Sequence, residues 1–176
     1  MSLATLTKTG RAAIAKALAA RPIHLAWGSG NPEWDNEDAE LPSLVTATAL
    51  VAELGRRTPA TLGFVEPDDA GDIVIPVSVG ASGEIQEARY RQVADAPTPY
   101  LYVRVNYNFE DASNAVVREI GVFMDTVLKP DLPAGQRYFT PAELESPGLL
   151  VAVQIIKPSI NRSPSVRQTI EFVLPI

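Results

Sequence analysis

The 176-residue chain is 46% apolar and 20% charged, carries a net charge of -6 and has no cysteine. Such a length holds a hydrophobic core without staples, and the missing cysteine excludes a disulfide framework, a thiolate nucleophile and cysteine-based metal sites. No apolar run approaches the roughly 20 residues of a membrane-spanning helix, and the acidic balance argues against general binding to nucleic acid.

The charge is uneven along the chain. Residues 1–21 carry Lys8, Arg11, Lys16 and Arg21 and no acid, whereas Glu33, Asp35, Glu37, Asp38 and Glu40 follow with no base among them. A basic, acid-free start is a feature of transit peptides, but the continuous apolar stretch of a secretion signal is missing. Within this region, Thr7 to Ala20 is rich in Ala, Lys and Arg and reads as a helix. Leu6, Gly10, Ile14 and Leu18 form its expected apolar stripe, Thr7 or Thr9 its cap, and Pro22 its end.

Ile23–Trp27 is a short strand candidate that runs into a punctuated loop as far as Pro42. Leu44–Leu54 admits both helical and strand spacing. The reading favours a short helix closed by Gly55. Beyond Pro59 the pattern is one of strands: Asp72–Val79, demoted by Pro76 to an edge or bulged strand; Tyr100–Val105, continuing toward Tyr107 and Phe109; Val116–Met124; Leu149–Ile156; and Gln168–Leu174. In the last, Ile170, Phe172 and Leu174 share a face almost to the final residue, so no free tail is expected. Strands parted by Pro- and Gly-bearing turns predict a mainly β (α+β) fold: an antiparallel sheet or β-sandwich with an N-terminal helix and one short additional helix. Residues 1–21 are expected as a docking helix and residues 22–176 as the β-rich body.

Chemistry is harder to find. His24, the single histidine, lies between Ile23 and Leu25 with no locatable triad partners, and is expected as a hydrogen-bonded histidine near the core. Gly28-Ser29-Gly30 lacks the Gly-Lys-Ser/Thr of a phosphate loop and is expected to form a turn presenting Trp27 and Trp34. Glu66–Asp72 departs from the EF-hand pattern and reads as a solvated hairpin turn. Tyr100, Tyr102 and Arg104 share a strand face that suits base stacking, but their surroundings are not basic, so packing or interface residues are expected. No catalytic, cofactor or metal residues are assigned.

Four segments in order carry a resemblance: Leu6–Lys16, Leu25-Ala26-Trp27-Gly28-Ser29-Gly30, Glu53-Leu54-Gly55-Arg56-Arg57 and Arg118-Glu119-Ile120-Gly121-Val122-Phe123. The first is similar to the opening helix of phage tail-collar-type fibre domains. The chain as a whole resembles tail-fibre attachment or baseplate structural proteins of tailed phages. That resemblance implies a virion protein of the tail, synthesised in the host bacterial cytoplasm, non-enzymatic, without cofactor or membrane, and present in repeated copies around the tail axis. Its partners would be other tail or baseplate proteins. Because no long repetitive shaft follows the first domain, an adaptor or baseplate subunit fits better than a full fibre.

Within that frame, a basic helix followed by an acidic loop with two tryptophans predicts a partner interface at Arg11, Ile14, Leu18, Trp27 and Trp34. A small-molecule or carbohydrate-binding β-domain using Trp27, Trp34 and the tyrosines is the alternative.

Overall fold

The computed structural model describes residues 4–79, 84–94 and 96–176. Its secondary structure is mainly strand, with one α-helix and two short 3-10 turns. The chain divides into two compact units. One comprises residues 1–20, 61–104 and 171–176, the other residues 21–60 and 105–170.

The helix α1, Lys8–Ala19, forms where its composition predicts. Thr7 is the cap: its hydroxyl accepts from the Gly10 amide at 3.1 Å. Its inward face differs from the expected stripe. Ala15 is fully buried with Ala12 and Ala19 half-buried, whereas Leu6 and Ile14 are exposed. The reason is geometric. Four-residue steps advance about 40° beyond a full turn at 3.6 residues per turn, so positions 6, 10, 14 and 18 wind around the helix instead of holding one face.

In the same unit lie β3 (Thr61–Pro67), β4 (Ile73–Val79) and β5 (Glu84–Val93), with most of β6 (Tyr100–Tyr107) and the end of β12 (Gln168–Pro175). The sheet order is β12-β6-β3-β5-β4, which leaves β4 and its Pro76 on an edge, as proline requires. β3 is antiparallel to β5 and β6, and β4 to β5. The Glu66–Asp72 turn is therefore not a hairpin, because β5 lies between the strands it joins. The turn itself is as expected: Asp68 accepts from the Gly71 amide at 2.8 Å through its carbonyl and from the Ala70 amide at 2.9 Å through its carboxylate. Val65, Ile75 and Tyr102 form this unit's core, which makes Tyr102 a packing residue.

The second unit contains β1 (Ile23–Gly28), β2 (Glu53–Arg57), β7 (Val116–Met124), β9 (Tyr138–Phe139) and β11 (Leu149–Asn161) in the order β11-β7-β1-β2-β9, all neighbours antiparallel. A two-stranded ribbon pairs β8 (Val127–Leu128) with β10 (Leu144–Ser146). Every residue of β1 is buried, so this central strand lacks the alternation of a half-exposed one.

The helix expected over Leu44–Leu54 does not form. Residues 36–52 hold no regular helix or strand, and Gly55 lies within β2 opposite Trp27. A Cβ on Gly55 would come within 2.3 Å of the Tyr138 hydroxyl oxygen. Tertiary bonds override the helical spacing: the Glu119 carboxylate accepts from the Val51 and Ala52 amides at 3.1 and 2.9 Å, and the Ala52 carbonyl accepts from Ser29 at 2.9 Å.

Candidate docking surface and the buried network behind it

Three of the segments that carry the resemblance meet in space. Leu25–Gly28, Glu53–Arg57 and Arg118–Phe123 are the neighbouring strands β1, β2 and β7, and their shared residues interlock. Gly28 faces Glu119 across the β1–β7 pair, and a Cβ on Gly28 would stand 2.5 Å from its carboxylate. The glycine thus admits the carboxylate that holds residues 51 and 52, and not a phosphate.

Arg56 is fully buried, unusual for a charged residue. Its guanidinium lies 3.9 Å from the Phe123 ring centroid, donates to both Glu53 carboxylate oxygens at 2.8 and 2.7 Å, and reaches Thr126 Oγ1 and the Pro147 carbonyl at 2.7 and 2.6 Å. Charge and hydrogen-bonding capacity are both satisfied, which makes the burial tolerable. Nearby, Arg57 pairs with Asp111, which also accepts the Asn108 amide at 2.7 Å.

The tryptophans expected on a docking loop are buried. Trp27 stacks on Tyr107 with 3.4 Å between ring centroids and donates to the Tyr138 hydroxyl at 3.3 Å. Trp34 sits in the 3-10 turn Pro32–Asp35, capped by Asn31, and covers Gly30, whose φ is +55° and on which a Cβ would stand 2.4 Å from the ring, so no side chain fits there. Area accounts for this burial: an indole is too large an apolar surface to leave in water when aromatic partners are available. Neither indole offers an exposed face for sugar stacking.

His24 is buried, but its expected hydrogen bond is absent: neither ring nitrogen has a partner among the described residues. Burial, and secondarily the Arg56 charge, lowers its pKa to about 4. It packs edge-on against Phe139 as a neutral ring. No group of three or more metal-ligating side chains occurs among the described residues.

Of the expected interface residues, Arg11 donates to the Ile176 carbonyl at 2.8 Å, Ile14 is exposed and Leu18 is half-buried. Sequence reading missed the stronger apolar exposure at residues 36–52, where Val45 is 92% and Val51 68% exposed, with Leu41 also at the surface. This segment is fastened at its base: Arg118 donates to Asp35 at 2.7 Å and Lys157 to the Asn36 carbonyl at 3.1 Å. The Asp35 carboxyl is held below its ordinary pKa, chiefly by its hydrogen bond from Arg118. The only signal for this surface in the sequence is a long, base-free stretch between two strands.

Arginines and carboxylates here fix loops to strands of a mainly antiparallel β-fold. The chain belongs to the family described as baseplate wedge 3 tail fiber network component, which matches residues 3–176. It is accordingly a component of the phage baseplate and tail-fibre network, located in the virion tail. No curated protein matches the chain. No helix among the described residues is long and apolar enough to cross a membrane.

Proposed function

We propose that this chain works by protein–protein docking, joining tail-fibre or baseplate subunits in repeated copies around the tail axis, without catalysis. The observation that carries the reading is the segment 36–52, where Leu41, Val45 and Val51 are held in water while Leu50 and the Glu119 carboxylate anchor its end. An ordered segment that exposes large apolar side chains gains by being covered, and the adjoining Glu37, Asp38 and Glu40 supply a polar rim. Helix α1, in the other unit, also exposes Leu6 and Ile14, beside Arg11 and Leu18. Each replacement by aspartate at Val45 or Ile14 is expected to leave the melting temperature within a few degrees, because both side chains already meet solvent. Complementation of a phage lacking this chain tests the role. Folded Val45→Asp protein should be depleted from purified particles, and its normal incorporation would refute docking through this segment.

A further inference from the structure

Arg57, Arg137 and Arg167 are far apart in sequence but line one cavity of about 440 Å³ in the second unit, together with Thr58, Asn106 and Asn108. Among the described residues, no acidic side chain lines it. The Arg57 charge is matched by Asp111 behind it. Arg137 and Arg167 form no ion pair among the described residues, so on a chain of net charge -6 this cavity holds two uncompensated positive charges.

Both free guanidiniums are oriented in advance. Arg137 donates through Nε to Thr58 Oγ1 at 3.1 Å and through Nη2 to the Pro59 carbonyl at 2.8 Å, leaving Nη1 without a partner among the described residues. Arg167 lies over the Phe109 ring, 5.0 Å from its centroid, which supports one face of the guanidinium and leaves its edges open. Hydrogen bonds to neutral groups orient Arg137, and an aromatic face supports Arg167, without cancelling either charge. The Asn106 and Asn108 side chains and the Thr58 hydroxyl add neutral hydrogen-bonding capacity around the rim.

We infer that this cavity is a binding site for an acidic polypeptide segment, receiving two of its carboxylates on Arg137 and Arg167. Two preset guanidiniums match two carboxylates, the pairing for which the arginine fork is suited. The positive charge is compact and confined, whereas a nucleic acid needs a basic track along its backbone. That the segment belongs to a neighbouring tail subunit rests on the docking reading above; the chemistry of the site does not.

The full chain is titrated with Ac-Glu-Gly-Glu-Gly-NH2, its Gln-for-Glu counterpart and inorganic phosphate, following arginine Nε–H resonances by NMR. The Glu peptide should shift Arg137 and Arg167. The Gln peptide should not, and binding should weaken several-fold from 50 to 200 mM salt as screening grows. The Arg137→Gln, Arg167→Gln double variant, with melting temperature unchanged, should bind at least tenfold more weakly. Equal shifts from both peptides, unchanged binding by the folded double variant, or a response to phosphate alone would each overturn the inference. Particle incorporation of the double variant is scored separately. If peptide binding is confirmed and incorporation stays normal, the site stands and the neighbouring-subunit assignment falls; a Val45→Asp protein that assembles normally bears only on the docking reading.

Discussion

Replacing His24 with leucine should remove a pH-dependent stability term while preserving the packing of β1. In the folded chain the ring titrates near 4, against 6.5 for an ordinary histidine. The unfolded chain therefore binds more protons between these values, and stability must fall as the pH drops through that window. The full displacement corresponds to about 3 kcal/mol, of which about 2 kcal/mol is realised between pH 8 and pH 5. His24 is only 5% exposed, so solvent screens little of this. Asp35 and Glu143, whose hydrogen bonds lower their pKa, lose their contribution mainly below pH 5 and are common to both proteins. Urea titrations of the natural chain and His24→Leu at pH 8, 6.5 and 5 isolate the histidine as a difference. The natural chain should lose about 2 kcal/mol more than the variant from pH 8 to 5. Parallel losses would show that His24 is not buried as a neutral ring.

Arg56→Met should cost about 3–5 kcal/mol, because Glu53 is left with an uncompensated charge beside the core; chemical denaturation measures it. Gly30→Ala should destabilise by about 2 kcal/mol or more, from its positive φ and the Trp34 ring, and a fluorescence-monitored melt should register both stability and indole environment. Removing residues 169–176 deletes most of β12 beside β6, taking Ile170 and the Glu171 partner of Tyr102 with it. Loss of β-sheet circular dichroism or a fall in melting temperature is expected, and an unchanged melt would refute the role of that edge.

The sequence by itself determined where β1, β4, β6, β7, β11 and β12 lie, half of the strands among the described residues, and narrowed the α1 cap to Thr7 or Thr9, since these depend on neighbouring residues. Val116–Met124 is rich in β-branched residues as a strand should be, and Thr7 has its amide partner only three residues away. It also limited the Pro76 strand to an edge or a bulge, because proline has no amide hydrogen for the ladder, and the sheet order then put it on the edge. What only the tertiary structure decided was where side chains without a local partner would go. Leu44–Leu54 carried helical spacing, but Glu119, far along the chain, captured its last amides, and β2 paired with β1 and β9. Trp27 and Trp34 looked like surface anchors until Tyr107 and Gly30 supplied their packing partners. Arg57, Arg137 and Arg167 formed no motif at all. A charged cavity made from distant loops and strands has no linear signature, because its spacing is set by sheet register and loop closure, not by the period of any one element.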